Sequence, residues 1–120
     1  METTDLREPA FWILAALAEG RQHGYALIRE TSALSGGAVS LAVTTLYASL
    51  DRLVDEGLVS TDGDEVVDGR LRRYFVATPE GRARLQAEAE RLEQKVAVVR
   101  RQLSGRTSRP VRPAATGGIA

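Results

Sequence analysis

Between residues 41 and 57 the chain reads LAVTTLYASLDRLVDEG, with apolar positions returning at helical spacing. At about 100° per residue, Val43, Leu46, Leu50, Leu53 and Val54 fall on one side, the stripe of an amphipathic helix that packs on a core. The other side is short and polar. Thr44, Thr45, Ala48 and Arg52 project there, with Tyr47 and Ser49 on the flanks, so a partner can approach closely. The helix is expected to start between Ser40, a good N-cap type, and Ala42, and Gly57 ends it.

The remaining apolar pattern places neighbours around this helix. Leu6, Ala10, Ile13, Leu14 and Leu17 predict a first helix over residues 6–19, with Asp5 and Glu8 as a capping pair or, since Pro9 falls in the first turn, a start nearer Glu8, and Gly20 after the end. Phe11 and Trp12 add more aromatic surface than one face needs: they pack in the core or a subunit interface, or they stack on a ligand. Residues 22–25 break the chain, and a second helix, residues 25–34, uses Leu27, Ile28 and Leu34. Ser35-Gly36-Gly37 is a flexible turn before the opening stretch. Two helices joined by a turn, the second with an exposed polar face, predict a helix-turn-helix.

Beyond Gly57, residues 58–61 and 72–78 are expected as antiparallel strands around a polar loop, residues 62–71, with glycines at 63 and 69. Thr78-Pro79-Glu80-Gly81 is a helix start with a cap, a proline at the first position and an early acid. Leu85, Ala89, Leu92, Val96, Val99 and Leu103 then follow spacings of four and three, a heptad seam with Arg84, Glu88, Arg91 and Lys95 outside it. So long a helix projects beyond a small body. Either a second copy covers the seam or it folds back on the chain's own first helix, and both can share it. The last residues lack periodicity and hold five arginines counting from Arg100, a disordered basic tail that either attracts phosphates or is simply solvated.

The expected fold is therefore mainly α with a small β-hairpin wing. A winged helix-turn-helix occupies residues 5–78, a C-terminal dimerisation helix residues 79–104, and the tail residues 105–120. In such a dimer the interface would draw on Leu6, Ala10 and Ile13 of the first helix and on the seam residues of the last.

Composition narrows the function. A chain of 120 residues holds one compact domain and a tail, and 43% hydrophobic residues exclude a wholly disordered chain. Neither an apolar run of about 18 residues nor a leader pattern is present, so a soluble cytoplasmic protein with no membrane partner is expected. The absence of cysteine excludes disulfides, thiolate zinc sites and cysteine nucleophiles, and a single histidine, His23, excludes a multi-histidine metal site in one chain. His23 has no acidic neighbour in sequence to tune it as a base, and is assigned a structural role in the turn. With no catalytic constellation, binding is the expected class, without enzyme activity, metal or cofactor.

Net charge is zero, but it is segregated: acids gather in residues 1–19 and 62–68, arginines at 70, 72 and 73 and from 100 to 112. The expected DNA surface comprises Tyr25, Thr44, Thr45, Tyr47, Ala48, Ser49, Arg52, Arg70, Arg72 and Arg73. Threonine hydroxyls reach phosphates or base edges, while threonine methyls and Ala48 suit thymine methyls. Tyr47 either reaches a phosphate or packs, and the three arginines either touch the DNA backbone or line a solvated strand edge. A monomer with about three phosphate contacts binds weakly, so dimerisation belongs to the mechanism. The rivals are a winged-helix module that binds protein through the same face, and a sensor releasing DNA when an aromatic effector meets Phe11 and Trp12.

Taken together, certain short runs resemble the PadR family of bacterial transcriptional regulators over residues 6–103. They are His23-Gly24-Tyr25; Thr45-Leu46-Tyr47 with Leu50, Arg52-Leu53 and Glu56-Gly57-Leu58; Gly69-Arg70 with residues 72–75; and Thr78-Pro79-Glu80-Gly81. The resemblance implies a winged-helix homodimer, usually a repressor, whose C-terminal helix pairs the subunits, in the shorter branch with a single terminal helix. Thr44 stands where the family usually has Gly, Ala48 where it often has Pro, and Leu71 replaces a frequent wing Pro. Some members hold flat aromatic effectors with an aromatic residue on the last helix, which has none here.

Overall fold

The computed structural model describes residues 6–105. In chain order its elements are α1 (Glu8–Leu17), β1 (Gln22–His23), α2 (Gly24–Leu34), α3 (Val43–Asp55), β2 (Val59–Val67), β3 (Arg70–Ala77) and α4 (Pro79–Ser104). The chain divides into two compact units, Met1–Glu88 and Ala89–Ala120. The division falls inside α4. The described part of the second unit continues α4, and the expected basic tail, from residue 106 on, lies outside the described residues.

In the first unit the core is built from Ile13, Leu14 and Leu17 of α1, Leu27 of α2, and Leu46, Leu50 and Leu53 of α3, closed by Leu58, Val59 and Phe75. α1 takes the later of the two expected starts, at Glu8, and ends earlier than expected: Arg7 is its N-cap without a side-chain bond, and Pro9 stands in the first turn as expected. Asp5, the proposed cap, lies outside the described residues.

α3 buries Leu46, Ser49, Leu50 and Leu53, positions related by three and four residues. The stripe is thus centred on the three leucines. That midline draws in Ser49, 8% exposed, and leaves Val43 and Val54 on the outer edges at 51% and 38%. The sequence placed both valines in the core and Ser49 on the DNA face, and the structure corrects all three assignments. The helix starts at the later end of the expected range. Ala42 is the N-cap, with no side-chain bond, so the hydroxyl of Ser40 does not cap it.

At its other end α3 closes as the sequence required. Gly57 has φ +79°, and the N–H groups of Gly57 and Leu58 donate to the carbonyls of Val54 (3.0 Å) and Leu53 (2.9 Å). This is a Schellman closure, in which glycine supplies the left-handed residue without a Cβ penalty.

The sheet is antiparallel in the order β1-β3-β2. Two features differ from expectation. Residues 62–71, read as a loop, are mostly paired, with Val67 opposite Arg70 and the reversal confined to Asp68 and Gly69. Polar residues hid the strand because both hairpin faces are largely solvated there, leaving no alternation to detect. Second, Gln22 and His23, read as a break, form β1 opposite Phe75 and Tyr74.

α4 starts on the Thr78 cap: its Oγ1 accepts from Gly81 N–H (3.0 Å) and donates to the Gly57 carbonyl (2.6 Å). Gly81 is buried so closely on the Leu58 carbonyl that a Cβ there would overlap it. Among the described residues no helix is long and apolar enough to cross a membrane.

Candidate nucleic-acid interface

Because the leucine stripe of α3 faces inward, its other side is left to solvent. Thr44, Thr45, Tyr47, Ala48 and Arg52 are all exposed there. Ser49 is on the buried side and is excluded from this surface.

Tyr47 is partly packed and partly exposed. It is 42% exposed, yet its phenol rests on Gly24, the first residue of α2, where a Cβ would overlap Oη. His23 caps the same helix, its Nδ1 accepting from Ala26 N–H (3.4 Å), a bond that needs the neutral ring. Tyr25 follows, exposed on the first turn of α2. The run His23-Gly24-Tyr25 thus has a local cause: cap, space for Tyr47, then an exposed phenol beside it.

The wing arginines do not form one patch. Alternation along β3 puts Arg70, Arg72 and Tyr74 on one face, and Leu71, Arg73 and Phe75 on the other. On the first face Tyr74 donates to Glu65 Oε1 (2.7 Å), meets His23 edge to face, and supports the Arg21 guanidinium 4.0 Å above its ring. The bond to Glu65 raises the Tyr74 pKa. Burial, followed by the charges of Arg72 and Arg29, holds His23 below its ordinary value. On the second face Arg73 donates to both oxygens of Asp64, from Nε (3.0 Å) and Nη2 (3.4 Å), and that bond raises its pKa further.

Arg21 was not singled out from sequence. It donates to the Asp62 carbonyl (3.0 Å) and pairs with its carboxylate (3.7 Å). Nothing local announces this contact, which bridges 41 residues.

The expected dimer residues divide by environment. Ile13 is wholly buried within its own chain and cannot meet a second copy; α1 turns that side to α2 and α3. Leu6, Ala10 and Leu85 are half-buried against the same core. Within the second unit Val96, Val99 and Leu103 are exposed, as is Val98, while Ala89 is exposed and Leu92 half-buried. Phe11 and Trp12 are half-buried and packed edge to face, with Trp12 Nε1 donating to Glu8 Oε2 (3.0 Å).

A helical trio, an antiparallel hairpin and a third helix with one solvated face define a winged helix-turn-helix domain. Comparison with known proteins places it further. Residues 13–87 match the model of the transcriptional regulator PadR-like family. The transcriptional regulator Rv3488 of Mycobacterium tuberculosis is 40% identical over 82 residues, covering 68% of this chain and 73% of that protein. Among solved structures, a transcriptional regulator from Clostridium thermocellum superposes with TM-score 0.65 at 25% identity, over 77% of this chain and 89% of that one. Bacillus subtilis PadR in complex with operator DNA superposes with TM-score 0.61 at 22% identity, over 68% of this chain and 47% of that one. The chain belongs to the PadR-like family of transcriptional regulators. Its members regulate transcription and are not enzymes.

Proposed function

We propose that the protein is a homodimeric, sequence-specific DNA-binding repressor that inserts α3 into the major groove and acts in the cytoplasm. The observation behind this is the solvated face of α3, where Thr44, Thr45, Tyr47, Ala48 and Arg52 stand clear while the opposite stripe is buried. Short side chains let the helix approach base edges, and Tyr47 and Arg52 flank them with donors for phosphate. Tyr25, Arg70, Arg72 and Arg73 extend the surface to α2 and the wing. The solved complex of Bacillus subtilis PadR with operator DNA supports DNA as the ligand of this fold.

Dimerisation through α4 is supported by the exposed apolar residues Val96, Val99 and Leu103, spaced by three and four, with Val98 exposed beside them. Two linked reading heads bind one duplex far more tightly than one. The test is fluorescence anisotropy with a duplex selected by the protein from a random-sequence pool, competed with unrelated duplex. Preferential, salt-sensitive binding is expected, and equal binding to both duplexes would refute sequence recognition. Repression is read separately, from a reporter carrying the selected duplex in its promoter.

A further inference from the structure

β2 contains one residue more than its partner requires. Thr61 stands opposite Phe75, but the next registered pair is Asp64 with Arg73, three steps along β2 against two along β3. Gly63, at φ +89°, lies inside this irregularity, as expected for a bulge that re-aims the residues after it. Without the extra residue, Asp64 would stand opposite Arg72, on the other face. With it, Asp64 meets Arg73.

The geometry of that meeting is specific. A guanidinium has five N–H donors in a rigid planar fork. Asp64 accepts two of them side-on, from Nε and Nη2. The end-on pair, one hydrogen each on Nη1 and Nη2, is left pointing away from the carboxylate, the geometry that suits a phosphate. Arg73 shares the sheet face of Phe75, which is buried in the core beside the helices.

We propose that Asp64 is a positioning residue for DNA binding: it fixes the Arg73 fork so that its end-on donors are presented to one DNA phosphate. It rests on the DNA-binding proposal above, and it predicts the opposite sign from simple electrostatics. Removing a carboxylate near DNA should strengthen binding through charge alone. If Asp64 positions Arg73, removing it must weaken binding, because a flexible arginine loses more rotamer entropy on meeting the phosphate.

The experiment is a double-mutant cycle on the full chain with the selected duplex, measuring affinity against salt for wild type, Asp64→Ala, Arg73→Ala and the double variant, with thermal melting of each as a fold control. Arg73→Ala should weaken binding about tenfold and lower the salt slope by about 0.9. Asp64→Ala should weaken it about threefold in wild type, yet weaken nothing further beside Arg73→Ala. Binding by Asp64→Ala at or above wild-type strength overturns the positioning role while leaving DNA binding intact. Equal losses from Asp64→Ala with and without Arg73 also overturn it, since they mark a purely structural effect. A wild type that binds no duplex would overturn both proposals.

Discussion

Gly24 separates folding from recognition more sharply than any other single residue. Its missing Cβ is the space that Tyr47 occupies, and the overlapping atom is the far end of a side chain with an exposed route of escape. Gly24→Ala should therefore swing Tyr47 outward at a stability cost below about 1 kcal/mol, since alanine also favours the helix. DNA affinity should fall by about tenfold if the Tyr47 hydroxyl contacts a phosphate. Denaturant titration and anisotropy on the same variant check the two halves. His23 gives a second residue-scale expectation. Its pKa is lowered in the folded chain, so the unfolded chain binds the proton more readily. The folded state then gains its full benefit above the ordinary value of 6.5 and loses it as the pH falls from there through the folded value. Melting temperature should decline over that window, and His23→Asn, which keeps a capping acceptor, should flatten the decline.

Among elements, legibility in the sequence followed burial. α3 was legible because three leucines and a glycine define it, and its end at Gly57 came out as the Schellman closure requires. Its precise midline was not, because two valines at the edge of a stripe look the same as core valines until α1 and α2 are in place. The wing was the poorest element: with acids and arginines on solvated faces it carries no period, and only the bulge at Gly63 decides which acid meets which base. Arg21 was invisible for the same reason, its partner being set by folding rather than by spacing. The Thr78-Pro79-Glu80-Gly81 start, in contrast, was legible as a cap, although the need for Gly81 came only with the fold. Gly81→Ala would press a Cβ into the Leu58 carbonyl, a backbone atom that cannot step aside. Chemical denaturation should show a loss of about 1–3 kcal/mol.

For the whole molecule, the expectation that matters most is assembly. If the α4 seam pairs two copies, Val99→Arg places a charge in a dry contact at a position half-exposed in the single chain, so the protomer fold should survive. Sedimentation should then report a monomer, and DNA affinity should drop by at least about a hundredfold as the bivalent gain disappears. An unaltered dimer would remove the seam from the interface. One residue, Leu58, also ties distant elements of the first unit together through its two flanking peptide groups: its N–H closes α3, and its carbonyl accepts from Thr78 N–H (3.0 Å) where α4 begins. Both bonds meet at a buried residue that joins the end of α3 to the base of α4. In hydrogen exchange the amides of Leu58 and Thr78 should therefore be released only by global unfolding, reporting the stability of the whole domain. Amides near Asp68, at the wing tip, should exchange early through fraying. The contrast in protection between these two sites would measure how far the hairpin tip can breathe while the body of the domain stays closed.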